Sequence, residues 1–194
     1  MEITCYFDYT CGYLYRGWLW LERLRAAGEE LDITWASFVL KEVNRGDDEP
    51  SALAGPTIES VAVMALACGE ALRDTDGWER YHEAAFTAMH AGPTRATIDD
   101  VAAIAGDCGL DAESFADQQQ TWLEVVRRSH FDAIERWGVF GTPTVILEPD
   151  DAVYLKLAEL PAEDDRRLWD ALTRITVSYP EILELKRAQA ADPG

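Results

Sequence analysis

Asp8-Tyr9-Thr10-Cys11-Gly12-Tyr13-Leu14-Tyr15-Arg16-Gly17 is the stretch on which the fold turns. The apolar run Ile3-Thr4-Cys5-Tyr6-Phe7 before it has the length of a buried strand, with Ile3, Cys5 and Phe7 on one face. After it, Leu14, Trp18, Leu21 and Leu24 recur at helical spacing, so a helix opens inside the quoted stretch. Thr10 is its expected N-cap and Gly28 its stop. A cysteine in the first turn of a helix meets backbone N–H groups that lack intrahelical partners. That field favours the thiolate, the nucleophilic form of cysteine. Cys11 is therefore the first candidate catalytic residue.

Working outward, Leu31 to Val39 alternates well enough for a second strand, which makes a right-handed βαβ unit with the first strand and helix. Lys41 to Pro56 is polar and reads as an exposed loop. Helical patterns then run from Ile58 to Arg73, Trp78 to His90, Ile98 to Gly106 and, with a break expected, Ala112 to Trp137. Thr97-Ile98-Asp99-Asp100 is a start signal of the capping-box type. At Gly138-Val139-Phe140-Gly141-Thr142-Pro143-Thr144 the period changes. Two apolar runs, Thr144 to Leu147 and Ala152 to Leu157, flank Glu148-Pro149-Asp150-Asp151 as a hairpin would, and Glu163 to Val177 reads as a last helix. The expected organisation is a core from residues 1–56 and 138–178, an inserted helical subdomain from 57–137, and a tail or short helix from 179–194.

This order, with a cysteine after the first strand and Thr-Pro before the third, resembles the DsbA-like branch of the thioredoxin superfamily. The branch includes cytoplasmic polyketide-cluster oxidoreductases, kappa-class glutathione transferases and 2-hydroxychromene-2-carboxylate isomerases. Asp8, Cys11, Tyr15 and Gly17 match its first motif, Asp-x-x-Cys-Pro-Trp-Cys-Tyr-x-Gly, in register. Gly138 to Thr144 meets its second, Gly-Val-x-Gly-(Val/Thr)-Pro-Thr, at every position. The resemblance covers residues 1 to about 177 and implies an α/β thioredoxin-like fold, βαβ…ββα, with a mixed four-stranded sheet and a helical insertion. It also implies thiol-disulfide chemistry at Cys11, with Gly12, Tyr13, Thr142 and Pro143 around the substrate. Pro143 is expected to follow a cis bond and face the cysteine. An incoming peptide or thiol could then pair with the Thr142 backbone.

The departure is Leu14, which stands where the family carries its second cysteine. A dithiol oxidoreductase resolves its mixed disulfide with its own second thiol, and leucine cannot do so. Cys5 lies too far back along its strand for the ~5.5 Å Cα spacing of a disulfide, and Cys68 and Cys108 fall in the helical part. Three readings stay open. Cys11 acts as a monothiol with an external low-molecular-weight thiol such as glutathione or mycothiol, on a disulfide or electrophilic substrate. By analogy to the serine-bearing relatives, the site is a thiol-dependent transferase or isomerase. Or the chain is a non-catalytic thioredoxin-fold binding protein.

Composition narrows the partners. Thirty-six acidic against seventeen basic residues give a formal charge of −19, which disfavours nucleic acid and anionic lipid. Only Lys41, Lys156 and Lys186 are lysines. The N-terminus lacks a basic, apolar leader pattern, so the chain is expected to be soluble and cytoplasmic, with no tightly bound cofactor and no metal. His82, His90 and His130 have no ligand spacing and read as surface or satisfied-core residues. Tyr13 is expected to face solvent or substrate, and the seam between the helical subdomain and the core is expected to form the substrate cleft. Oligomeric state is not legible in the sequence.

Overall fold

The computed structural model describes residues 1–92, 94–148 and 151–184. Strand β1, Glu2–Phe7, runs into helix α1, Gly12–Ala26, and returns as β2, Asp32–Ser37. Then come α2, Leu40–Val43; α3, Val61–Leu72; α4, Trp78–His90; α5, Ile98–Asp107; α6, Ala112–Asp117; and α7, Gln119–Trp137. Strands β3, Thr144–Glu148, and β4, Asp151–Tyr154, follow, and a 3-10 turn at Ala162–Asp164 leads into α8, Asp165–Ser178. The sheet order is β2-β1-β3-β4. β1 and β2 are parallel, with Cys5 opposite Trp35, and both remaining pairings are antiparallel. This is a thioredoxin-like sheet with a helical part between β2 and β3.

β1 is the central strand because both of its faces are apolar. Cys5, Val145, Leu14, Trp20 and Trp169 meet on the side covered by α1 and α8. On the other side Tyr6, Ile146, Phe38, Val139 and Ala133 form a second cluster with α7. A strand buried on both faces reads as a continuous apolar run, as Ile3 to Phe7 does. α8 is tied to α1 by a fork: Arg23 donates to both Asp165 carboxylate oxygens at 2.6 and 2.9 Å, and the Trp20 indole N–H donates to the Asp165 carbonyl at 3.2 Å. Asp165 is also the first residue of α8, where an acid complements the helix dipole, and it is 7% exposed.

Several boundaries differ from expectation. The polar segment after β2 opens with the short helix α2. The break expected in the long helical pattern falls at Gln118, and α7 ends at Trp137 as expected, against Gly138, whose φ of 63° is a left-handed cap that glycine takes at no steric cost. β4 stops at Tyr154. The hairpin residues Pro149 and Asp150 and the tail from 185 onward lie outside the described residues; 179–184 carry no helix.

The seam between helices and core is packed rather than open. His82 and Phe86 of α4 press against Phe7, Tyr9, Trp18 and Trp35, with ring centroids 4.7 to 6.4 Å apart. The expected cleft is filled by this aromatic layer. Large rings bury more area than a cleft of the same span would leave, and edge-to-face pairs add to that. His82 sits at its centre, Nδ1 2.9 Å from the Tyr9 hydroxyl and Nε2 without a partner. Burial, with the Arg73 charge adding to it, lowers its pKa to about 3.

That shift fixes a pH dependence. Between the ordinary histidine value of 6.5 and about 3 the unfolded chain takes up a proton that the folded His82 refuses. Stability from this residue is complete above about pH 6.5 and is lost as pH falls toward 3. Urea denaturation of the wild type is therefore expected to weaken steadily on acidification to about pH 4.5. Replacing the pair together, Tyr9→Phe with His82→Phe, avoids an orphaned hydroxyl and should remove up to about 2–3 kcal/mol of that loss. An unchanged slope in the double variant would assign the loss elsewhere, since His90, His130 and Asp8 titrate in both proteins.

Candidate functional site

The turn between β1 and α1 places Cys11 at the N-cap of α1, with φ −84° and ψ 111°, one position before the helix. Thr10 is not the cap; its hydroxyl and amide instead donate to the Asp8 carboxylate at 2.7 and 2.8 Å. The cap role falls to sulfur because Sγ accepts the Leu14 amide N–H at 3.4 Å. The same thiol donates to the Thr142 carbonyl at 3.2 Å. One contact serves the sulfur with or without its proton; the other exists only while the proton is present. Cys11 is buried, with 7% of the residue exposed.

The opposite wall is the loop before β3. The Thr142–Pro143 peptide is cis. Thr142 is 2% exposed and its hydroxyl has no hydrogen-bond partner. The Pro143 carbonyl accepts the Leu155 amide at 2.9 Å, and the Thr144 hydroxyl donates to the Gly141 carbonyl at 2.7 Å, so the loop is held from β4 and from within. A Cβ on Gly17 would stand 3.4 Å from the Pro143 ring, which explains why this turn of α1 carries no side chain. Gly17 and Pro143 thus set how close α1 approaches the loop.

Asp8 clamps the site from below. It is fully buried, and besides Thr10 it accepts the Leu40 amide at 2.8 Å, joining the ends of β1 and β2. Burial raises its pKa, while the Thr10 and Leu40 bonds and the nearby His90 pull the other way. His90, at the end of α4, donates from Nε2 to the Tyr9 carbonyl at 2.8 Å and stacks on Tyr15 at 4.9 Å. A carbonyl only accepts, so that ring nitrogen carries the hydrogen. Burial lowers the His90 pKa. His90 is thus a half-buried histidine with a hydrogen bond to the chain, while its place against Tyr9 has no signal local to its helix. Asp8 had a usable signal: an aspartate two residues before a threonine is an Asx-turn pattern.

Leu14 is fully buried beside Trp20, Leu21 and Pro143. The other three cysteines are unpaired and buried. Burial raises the Cys5 thiol well up, with Cys11 nearby contributing, pushes Cys68 up to about 12, and raises Cys108. These three are kept as thiols. Gly12 and Tyr13 are exposed at the mouth. Phe140, 66% exposed, packs on Tyr154 at 4.9 Å. A shallow depression of about 740 Å³ lies between the 55–56 loop and α7, lined by Gly55, Pro56, Gln120, Glu124 and Arg127 among others, with none of the Cys11 turn in it. The structure thus brings Cys11, Gly12, Tyr13, Thr142 and Pro143 to one place and sets the larger hollow elsewhere.

Asp8 is the residue on which the turn depends most. Asp8→Ala strands the Thr10 and Leu40 amides and should cost about 2–4 kcal/mol in chemical denaturation. Asp8→Asn keeps an oxygen for Thr10 but turns an NH2 toward Leu40, and should fall between wild type and alanine.

Among the described residues, no helix is long and apolar enough to cross a membrane. No curated protein sequence matches the chain. Solved structures share the fold. A probable DsbA oxidoreductase from Streptomyces coelicolor is 17% identical, with 100% of this chain and 97% of that one covered and a TM-score of 0.65. The cytosolic disulfide reductase DsbM from Pseudomonas aeruginosa is 17% identical over 90% of this chain and 100% of its own, with a TM-score of 0.60. A 2-hydroxychromene-2-carboxylate isomerase is 19% identical over 95% and 100%, with a TM-score of 0.62. Residues 2–160, which hold both the Cys11 turn and the Thr142–Pro143 loop, match the DSBA-like thioredoxin domain, and the chain belongs to that family.

Proposed function

We propose that the protein is a thiol-disulfide oxidoreductase working as a monothiol through Cys11, with a low-molecular-weight thiol such as glutathione or mycothiol as co-substrate. The observation that carries this reading is the pairing of a Cys11 sulfur at the N-cap of α1, bonded to the Leu14 amide, with a fully buried Leu14 where the resolving thiol would be. Cys11 first loses its proton to solvent. The thiolate attacks one sulfur of a disulfide; a Cys11–S–S bond forms, the old S–S bond breaks, and the other half leaves as a thiolate. A second small thiolate then attacks the mixed disulfide, forming a new disulfide and returning Cys11. One disulfide is consumed and one is made, so no other oxidant or reductant is required.

Each neighbour has a part. The Leu14 amide donates to the sulfur throughout the cycle. The Thr142 carbonyl, freed when the thiol proton leaves, is available to an N–H of an incoming peptide-like thiol. Gly12 and Tyr13 border the entry, and Pro143 closes the far side. A thiol-rich compartment such as the cytoplasm suits a site that borrows its second thiol. A thiol-dependent transferase would hold the same small thiol beside Thr142 without bonding to it, and a non-catalytic protein would leave Cys11 unmodified.

Mass spectrometry after exposure to a small disulfide should find one adduct, on Cys11, removed by excess free thiol and absent in Cys11→Ser. Failure to form that adduct would sink the monothiol reading. Leu14→Cys supplies the missing thiol three residues on, at an expected cost of about 1–3 kcal/mol in packing. It should gain the ability to oxidise a dithiol peptide in one encounter, which the wild type lacks.

A further inference from the structure

Tyr13 is gripped by two cations from different elements. The Lys156 ammonium nitrogen lies 4.4 Å from its ring centroid and the Arg16 guanidinium carbon 5.5 Å. Arg16 stands one turn along α1 from Tyr13, and Lys156 follows Leu155, whose amide is bonded to Pro143. Both cations are exposed, as is the ring, at 37%. Among the described residues neither forms an ion pair, whereas Arg23, Arg73 and Arg127 each hold a carboxylate. Arg80, Arg95, Arg128, Arg136, Arg174 and Lys41 likewise make no ion pair among the described residues, so what sets Arg16 and Lys156 apart is that they share one ring two positions from Cys11.

We infer that Arg16 and Lys156, set on Tyr13 beside Cys11, form an anion subsite that selects a carboxylate-bearing thiol or disulfide over neutral and cationic ones. The inference rests on the monothiol reading above and names its substrate class. A peptide-like thiol whose sulfur reaches Cys11 would lay its carboxylate along the Tyr13 side. There two cations share one ring, and neither is paired with a carboxylate among the described residues. The overall charge of −19 opposes any anion at long range. At physiological salt, charges beyond a Debye length of about 8 Å are largely screened, so the two nearby cations decide at contact. A neutral sugar-linked thiol such as mycothiol gains nothing from them; glutathione does.

The test measures second-order rates of mixed-disulfide formation on Cys11 with three probes: glutathione disulfide (anionic), bis(2-hydroxyethyl) disulfide (neutral) and cystamine (cationic). Rates are read by mass spectrometry at about 0.15 M salt, with Cys11→Ser as the blank. The wild type should prefer the anionic probe. In the double variant Arg16→Gln with Lys156→Gln, the anionic-to-cationic rate ratio should fall about tenfold, and salt should matter less than in the wild type. Arg16→Lys with Lys156→Arg should keep the ratio. If the cations only brace the ring, their loss changes all three rates together and leaves the ratio unmoved, which overturns the inference while the monothiol reading stands. No adduct with any probe overturns both.

Discussion

The contact between the Cys11 sulfur and the Thr142 carbonyl joins positions 131 residues apart, and the site exists because the chain is built to close it. It needs β1 to end with its last residues beside β3, which the antiparallel pairing of Tyr6 with Thr144 provides. It needs α1 to approach the Pro143 ring, which Gly17 permits. It needs the β1–α1 turn to hold its shape, which Asp8 secures with bonds to Thr10 and Leu40. A polar contact of this kind contributes only about 1 kcal/mol by itself. Its importance is positional: two loops that would otherwise wander are held on opposite sides of one sulfur.

Leu14 makes the inward position of the first helical turn ordinary core beside Trp20, Leu21 and Pro143. The helical part presses on the sheet in a separate, aromatic layer. His82 and Phe86 do so through Phe7, Tyr9, Trp18 and Trp35. A buried histidine at the centre of such a layer is held neutral by desolvation, so it braces Tyr9 rather than moving protons. His90 lies nearer the reactive turn, yet its donor nitrogen is committed to the Tyr9 carbonyl.

Charge is distributed unevenly in a useful way. The chain carries a formal charge of −19, while the rim around Tyr13 is locally positive. The two act over different distances, so one does not cancel the other.

The amino-acid order alone determined the class of fold, the place of Cys11 where β1 gives way to α1, and the leucine three residues on. Those are local properties: the strand run Ile3–Phe7, the helical stripe beginning at Leu14, and the spaced residues Gly138 to Thr144 each speak through neighbours within a few positions. A boundary slipped where a side chain chooses the capping bond: the N-cap of α1 passed from Thr10 to Cys11 because Asp8 claimed the threonine. Only the folded chain decided what surrounds the sulfur. Lys156 meets Tyr13, His90 meets Tyr9, and Asp8 meets Leu40 across long intervals of chain. No periodicity or short motif encodes such meetings, because they arise from the packing of elements that each follow their own local rule. The expected cleft became an aromatic layer for the same reason: whether facing side chains leave a space or fill it depends on both faces at once.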